Sequence, residues 1–357
     1  MSKRTNPYSG LPAHCFWSRT HRGKDIAEID PVVKGQFTLK PKMKIATAGS
    51  CFAQHIAKHL QGQGYNYFVT EKAHPIIADQ VARAFGYGVF SARYGNLYTT
   101  RQLLQLARRA YGEFQPKEDI WEVEGGFIDP FRPNIQPAPF ASREEFDAAR
   151  EVHFAAVRKM IEEADVFVFT FGLTESWVSK EDDAVFPLAP GVAGGEFDEK
   201  RHGFKNFTVS EVVADFRDFI ALMRAKNPKV KVLMTVSPVP LIATAREDTS
   251  VITATAYSKS VLRVACEELQ MMEKDVFYFP SYEVITGNYT RGAYYGADLR
   301  EVEAEGVAHV MSLFMRHYTK DGGSAPASDK PVDSFQEDVQ KALDIICDEE
   351  MIERAVK

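Results

Sequence analysis

The sequence lacks long apolar runs and is poor in cysteine, and each shortage excludes a class of protein. No run of about 18 apolar residues occurs among the 357, so no transmembrane helix is expected. The N-terminal MSKRTNPYSGLPAHCFW has no apolar core of about 7–15 residues, which argues against a secretory signal. The four cysteines, Cys15, Cys51, Cys266 and Cys347, are far apart and show no Cys-x-x-Cys spacing. We therefore expect reduced thiols and a cytoplasmic location.

Basic stripes and cofactor motifs are also absent. The net charge is −6 with acidic and basic residues interspersed, so nucleic acid is not an expected partner. No Gly-x-Gly-x-x-Gly or Walker sequence occurs, and no His/Cys cluster has zinc spacing. We predict neither a metal nor a cofactor. The 45% hydrophobic and 26% charged content is ordinary for a globular chain.

Hydrophobic periodicity predicts strands that alternate with helices. Short apolar runs rich in β-branched and aromatic residues indicate buried parallel strands, and i, i+3, i+4 spacing indicates helices. The predicted strands are 44–48, 165–172, 230–236 and 276–279; the predicted helices are 52–63, 101–111, 144–164, 210–226, 257–272 and 303–317. This alternation predicts an α/β fold, a three-layer αβα sandwich of flavodoxin-like type with a mostly parallel sheet.

Composition divides the chain into five parts. Residues 1–40 are mixed and contain proline, which indicates an N-terminal arm packed on the core. The α/β domain is predicted over 41–318, with Pro/Gly-rich insertions at 121–139 and 177–206. A polar linker is predicted over 319–334 and a C-terminal amphipathic helix over 335–357. That helix has two open interpretations, docking on the body or on a partner.

Polar groups follow each predicted strand, where open α/β sheets bind ligands. Four segments meet at this rim: Gly49-Ser50-Cys51, Gly172-Leu173-Thr174-Glu175, Ser237-Pro238-Val239-Pro240 and Ser281-Tyr282-Glu283. Cys51 precedes a helix, whose N–H groups favour a thiolate and could hold an oxyanion. The alternative is a buried structural cysteine. Lys259 and Arg263, one helical turn apart, either bind an anion together or are solvated charges.

Several motifs in order resemble the GSCFA family, which is grouped with the SGNH (GDSL-like) hydrolases. They are ATAGSCFAQHIAKHL, FSARYGNLYTTRQLLQL, DPFRP, FTFGLTESW, TVSPVPLIATA, YSKSVLR, YFPSYEV and DLREV. The resemblance implies an SGNH-hydrolase-like fold. It places Cys51 at the nucleophilic serine of that clan and Ser50 at its aspartate. Cysteine is a competent nucleophile for acyl transfer.

The other blocks of the clan match in part. Gly95 resembles the glycine whose amide helps to hold the oxyanion, with Asn96 beside it. Gly172-Leu173-Thr174 resembles the Gly-x-Asn block but lacks the asparagine, so Thr174 or another group would have to donate. Glu175 stands where many relatives carry an acid.

The clan's final Asp-x-x-His block lacks its histidine. Asp298 aligns with the aspartate, and Glu301 stands at the histidine position. A carboxylate with a raised pKa could accept the thiol proton. Alternatively a histidine comes from elsewhere: His55, one helical turn after Cys51, or His202 in the second insertion. For each histidine the alternative is a surface or packing role.

The sequence is compatible with two functions. The first is an SGNH-like acyl hydrolase or acyltransferase acting on esters or thioesters, with a small-molecule or glycan substrate and an acyl thioester as a candidate donor. The second is a ligand-binding or regulatory protein that keeps the fold without the catalytic histidine. A third idea, oligomerisation through the C-terminal helix, rests on that helix alone. The sequence does not predict the oligomeric state.

Overall fold

The computed structural model describes residues 6–319 and 348–356. Its strands are β1 Ile45–Gly49, β2 Trp121–Val123, β3 Gly126–Ile128, β4 Val166–Phe171, β5 Glu175–Ser179, β6 Val185–Phe186, β7 His202–Asn206, β8 Lys231–Val236 and β9 Val276–Tyr278. Its α-helices are α1 Trp17–His21, α2 Ala53–Gly62, α3 Asp79–Ala84, α4 Thr100–Ala110, α5 Arg143–Glu163, α6 Val209–Lys226, α7 Val251–Met272, α8 Ser281–Thr286, α9 Ala304–Tyr318 and α10 Glu350–Ala355. Short 3₁₀ turns span Ala13–Cys15, Ile26–Glu28 and Asn288–Thr290.

The central sheet has four parallel strands in the order β1-β4-β8-β9. Successive residues of β4 point to opposite faces and enter different apolar clusters. Phe167 and Phe169 pack with residues of α4, α5, α6 and α7. Val166 and Val168 pack on the other face with residues of α2, α8 and α9. Helices therefore cover both faces, and the predicted α/β three-layer class is confirmed.

Helix α7 begins six residues before its predicted start at Tyr257. The stretch TSVITATAY is rich in β-branched residues, which disfavour helices in isolation. Ser250 overcomes this preference because its side chain accepts a hydrogen bond from the Ile252 N–H and caps the helix.

Both predicted insertions contain antiparallel strands that sequence periodicity did not indicate. Strands β2 and β3 form a hairpin, and its glycines Gly125 and Gly126 have φ values of +88° and +148°. Strands β6, β5 and β7 form a separate three-stranded sheet. These strands have two to five residues, which is too short for a clear alternation.

Residues of the N-terminal segment contact the last core helix. The Leu39 N–H donates to the Tyr318 carbonyl at 2.7 Å, and Asp30 pairs with His317 at 2.7 Å. The division of the chain into arm, domain, linker and tail stays a prediction. Most of the predicted linker and part of the predicted tail helix fall in residues 320–347, which lie outside the described residues. No helix within the described parts is both long and apolar enough to cross a membrane.

Candidate functional site

The end of β1 holds Ser50 and Cys51 against β4. Gly49 has a φ of +128°, and a Cβ there would lie 2.3 Å from the Thr170 carbonyl oxygen. The Ser50 N–H donates to that oxygen at 3.1 Å, and the Leu97 N–H donates to the Gly49 carbonyl at 2.9 Å. Only glycine permits this approach, which fixes the Ser50-Cys51 turn at the rim of the sheet.

Cys51 lies just before α2 and is 5% exposed. It lines a narrow cleft with Ser50, Tyr98, Gly172, Leu173, Ser237, Val239, Pro240, Leu241, Lys259 and Glu349. The free space is about 10 Å³, close to that of one water molecule. Three of the four predicted rim segments therefore contribute to one cleft.

Gly172 closes the cleft opposite Ser50. A Cβ on Gly172 would lie 3.1 Å from the Ser50 Cβ and 3.1 Å from the Tyr98 Cα. Its N–H donates to the Tyr98 carbonyl at 3.1 Å. The absence of a side chain thus lets three loops meet.

Thr174 and Glu175 lie beside the cleft without lining it. The Thr174 N–H donates to the Ser258 Oγ at 3.0 Å, and its hydroxyl donates to the Asn206 Oδ1 at 2.6 Å. Burial raises the pKa of Glu175, whose carboxylate accepts a hydrogen bond from Thr244 at 2.9 Å. Asn206 was not anticipated from the sequence because the pairing of β7 with β5 brings it there.

Lys259 supplies a buried cation to the cleft. It is 3% exposed, and its Nζ donates to the Gly172 carbonyl at 2.5 Å. Arg263 instead pairs with Glu283 at 2.6 Å and Glu267 at 3.0 Å. The two cations therefore do not face a common ligand, and only Lys259 reaches the site.

Asn96 holds a carboxylate from the far end of the chain. Its Nδ2 donates to the Asp348 Oδ2 at 2.9 Å, and its backbone N–H also bonds this carboxylate. The Asn134 Nδ2 donates to the Asp348 Oδ1 at 3.0 Å. The preceding residue, Gly95, has a φ of +69°, which forms the turn that presents Asn96. Burial raises the pKa of Asp348 although these three donors oppose the shift.

Glu349, the next residue, enters the Cys51 cleft. Its carboxylate accepts a hydrogen bond from the Arg300 Nη2 at 2.9 Å. Burial raises the pKa of Glu349, and the charges of Arg300 and Lys259 act against that rise. The sequence predicted a C-terminal helix but did not indicate that residues just before α10 reach the site.

Asp298 and Glu301 are exposed and do not line the cleft. The Asp298 Oδ1 accepts hydrogen bonds from the N–H groups of Arg300 and Glu301, both at 3.0 Å. Burial acts to raise the pKa of Asp298, but these backbone donors bring it below its ordinary value. Asp298 therefore shapes the turn from which Arg300 reaches Glu349.

The two candidate histidines, His55 and His202, do not line the Cys51 cleft. His202 lies in the second insertion, and its Nε2 is 3.0 Å from the Glu118 Oε2. Burial is the main cause that lowers the pKa of His55 to about 3. A further histidine, His309 of α9, has its Nδ1 2.8 Å from the Tyr294 hydroxyl. Among the described residues, no histidine lines the cleft.

A neighbouring cavity of about 30 Å³ adjoins the Asp348 carboxylate and is lined also by Asn96, Asn134 and Arg132. Arg132 pairs with Asp129 at 2.7 Å, and both side chains are 2% exposed. The Arg132 Nη2 has no hydrogen-bond partner within the described residues. The DPFRP motif therefore contributes an internal ion pair with one donor left over.

Metal binding has no visible basis in the described parts of the chain. No group of three or more His, Cys, Asp or Glu side chains there is arranged to hold an ion. The absence of a metal or cofactor stays a prediction.

The chain is similar to one protein family and, distantly, to solved esterase structures. A family model described as the GSCFA family matches residues 44–314. A carbohydrate esterase family 3 structure from Talaromyces cellulolyticus is 11% identical, with 76% of this chain and 94% of that chain covered and a TM-score of 0.34. A mutant acetyl esterase solved with an acetate ion is 11% identical, with 75% and 92% covered and a TM-score of 0.26. No curated protein matches the chain.

Proposed function

Because the chain belongs to the GSCFA family, we propose that it transfers acyl groups from esters or thioesters through Cys51. The observation that carries the proposal is the position of Cys51, which shares a narrow cleft with the buried cation of Lys259. A positive charge beside a thiol favours the thiolate, which is the nucleophilic form. A cysteine that is already ionised needs no histidine to remove its proton before attack.

In the proposed reaction the Cys51 thiolate attacks the acyl carbonyl carbon and forms a C–S bond. The oxyanion intermediate collapses and releases the donor's thiolate, or an alkoxide that takes a proton from water. Water or an acceptor hydroxyl then attacks the new thioester, loses its proton to solvent and restores the thiolate. The products are a carboxylic acid in the first case and a new ester in the second.

The backbone N–H groups of Cys51 and Gly95 are the proposed donors to the oxyanion. Thr174 is a weaker choice than the sequence suggested because its two donors already bind Ser258 and Asn206. Asp298 would act as a positioning residue through the turn that carries Arg300. Proton transfer by Glu301, His55 or His202 stays a prediction.

A thioester is the favoured donor class. A thiolate with an ordinary pKa of about 8.5 leaves without a proton, whereas an alkoxide needs one. Among the described residues that line the cleft, no histidine stands ready to supply that proton. A small ester or thioester of a glycan or metabolite thus fits the site as substrate, with transfer and hydrolysis differing only in what attacks the acyl-enzyme.

The test is acylation of the whole protein by a small acetyl thioester, followed by peptide mass spectrometry. We expect one acetyl group on Cys51 in the wild type and in Cys15→Ala, an exposed cysteine that serves as the matched control. Cys51→Ala should lack this adduct. Acetylation of Cys15 without acetylation of Cys51 would refute the proposal.

A non-catalytic ligand-binding role is the second candidate. It is favoured by the two carboxylates of Asp348 and Glu349, which already occupy donors of the site. In that case Cys51 would pack the cleft and show no acyl adduct, while ligand binding would persist in Cys51→Ala.

A further inference from the structure

Two consecutive carboxylates of the chain's own C-terminal segment are buried at the site. Asp348 is 7% exposed and Glu349 is 8% exposed. Carboxylates of this kind are seldom so deeply buried unless several donors bind them. The hydrogen-bond donors come from three separate parts of the sequence, at Asn96, Asn134 and Arg300, and Lys259 adds a positive charge, so the site as a whole favours anions.

Asp348 lies in a cradle of uncharged donors. Both of its oxygens are bound, one by the Asn96 Nδ2 at 2.9 Å and the other by the Asn134 Nδ2 at 3.0 Å. Hydrogen bonds to a charged acceptor are stronger than those between neutral groups. Arg132, whose Nη2 has no hydrogen-bond partner among the described residues, also lines this cavity, so one donor near Asp348 is left over.

Glu349 meets cations. Arg300 donates to its carboxylate at 2.9 Å, and the charge of Lys259 also favours its ionised form. If Glu349 left the cleft, these two positive charges would lose a buried countercharge. An unpaired buried charge is costly, so a vacated cleft would need another anion or water in its place.

The segment also limits access to Cys51. With Glu349 forming one wall, the cleft has space for about one water molecule. An acyl group is larger than this, so one wall of the cleft has to move before a ligand reaches Cys51, and Glu349 is the wall that the C-terminal segment supplies. The same displacement would draw Asp348 from its cradle because the two residues are adjacent.

We propose that Asp348 and Glu349 are tethered substitutes for an external ligand, and that the site binds a small molecule bearing carboxylate groups in competition with this segment. The inference goes beyond the proposed function, since binding would occur whether or not Cys51 reacts. It names the ligand class from the donors alone: uncharged amides for one carboxylate and two cations for a second.

The first test is chemical rescue of Asp348→Ala by acetate. The full-length protein is heated in sodium acetate or in sodium chloride of the same ionic strength. We expect acetate to raise the thermal unfolding midpoint of Asp348→Ala in a saturable way, because acetate would bind the donors that Asp348 leaves free. The wild type and the matched control Glu350→Ala, an exposed acid two residues away, should not respond saturably.

The second test removes one of the hydrogen-bond donors to the carboxylate. Asp348→Ala combined with Asn134→Ala should lose the rescue, since acetate would lack a donor to one oxygen. Cys51→Ala should leave the rescue of Asp348→Ala unchanged, which separates this inference from the acyl-transfer proposal. An equal acetate response in all variants, or rescue that survives Asn134→Ala, would overturn the proposal.

Displacement of the segment gives an independent readout. Loss of a hydrogen-bonded charge should open the segment about tenfold to a hundredfold more often. Labelling of Cys51 by a thiol reagent should therefore accelerate by that factor in Asp348→Ala and remain unchanged in Glu350→Ala. If Asp348→Ala does not fold, Glu349→Ala serves with the same readouts. A labelling rate equal to that of the wild type would show that the segment does not limit access to Cys51.

Discussion

Replacing Lys259 by methionine should raise the pKa of the Cys51 thiol. Lys259 is the cation that lines the same cleft, and it is held there by its 2.5 Å hydrogen bond to the Gly172 carbonyl. Methionine keeps the length and apolar stem of the side chain and removes the charge. An opposite charge at close range shifts a pKa by about 1–3 units. We therefore expect an upward shift of at least about one unit.

The rate effect follows from two opposing terms. A rise of one unit lowers the thiolate fraction about tenfold at pH values below the pKa. It also raises the intrinsic nucleophilicity about threefold, because reactivity follows basicity with a coefficient of about 0.4–0.5. Labelling of Cys51 should thus fall about threefold at pH 6 and rise about threefold on the alkaline plateau.

The assay is the pH dependence of Cys51 labelling, followed by peptide mass spectrometry. Lys259→Arg should retain most of the wild-type profile because it keeps the charge. Lys229→Met, which removes an exposed lysine, is the matched control. If Lys259→Met folds but its labelling midpoint equals that of the wild type, Lys259 does not stabilise the thiolate and the mechanism loses its main support.

The remaining predictions concern the backbone at the site and the pH dependence of the C-terminal contact. Gly49→Ala should cost about 2–5 kcal/mol in urea unfolding, because its Cβ would lie 2.3 Å from the Thr170 carbonyl oxygen and φ is +128°. Burial raises the pKa of Asp348, which faces Asn96 and Asn134; its contribution to stability is therefore full below its unfolded pKa and declines as pH rises through the folded value. The thermal midpoint of the wild type should fall relative to that of Asp348→Asn between pH 4 and pH 7.

The Gly49→Ala prediction and the Asp348 prediction each have a control variant in the same chain. Gly112 has a φ of +73°, and no atom lies within 4 Å of the place that a Cβ would take, so Gly112→Ala should cost only about 1–2 kcal/mol. A similar cost at both glycines would mean that contact with Thr170 is relieved by small shifts. Glu350→Gln should leave the pH dependence of the wild type unchanged. A wild-type midpoint that rises relative to Asp348→Asn would reverse the sign and contradict the burial argument.

The central strand of the sheet could be predicted from the sequence because all its positions are buried. In β4 every residue from Val166 to Phe171 is buried, and a run that is apolar at every position except Thr170 marks the strand. Its carboxyl end then follows from the position of Gly172. The GSCFA resemblance and the α/β class are confirmed for the same reason, since both depend on strand ends and on the motifs that follow them.

The cleft was predicted less completely. The Cys51 and Gly172 segments meet as expected because parallel strands end at one rim. The role of Lys259 was misassigned, since helix spacing pairs it with Arg263 while tertiary packing sends it to Gly172. Periodicity describes which residues share a face, but it does not say which of them another element covers.

Asp348 and Glu349 could not be placed from local pattern at all. The Asn96 to Asp348 hydrogen bond joins residues 252 positions apart. Nothing near Asp348 in the sequence signals an acceptor for buried amides, because acidic residues are common on exposed helical faces. One donor, Asn96, is a candidate from the sequence, and the other, Asn134, directly follows the DPFRP motif, but their ligand comes from a segment whose predicted role is a helix.

Because Asp348 and Glu349 compete with external ligands, the affinity of the whole protein for an external carboxylate should depend on pH. The direction of this dependence shows whether burial raises or favourable contacts lower the pKa values of the two residues. If docking is worth about 3 kcal/mol, the free site is populated about one part in a hundred, and an external carboxylate binds the wild type about a hundredfold more weakly than Asp348→Ala. Because burial raises the pKa values of Asp348 and Glu349, docking takes up protons. Rising pH should then release the segment and reduce the difference in acetate affinity between the wild type and Asp348→Ala, compared at the same pH. Had the hydrogen bonds to Asp348 and the ion pairing of Glu349 outweighed burial, both pKa values would be lowered and the trend would run the other way. Titration calorimetry of both proteins with acetate at pH 5 and pH 8 decides between the two.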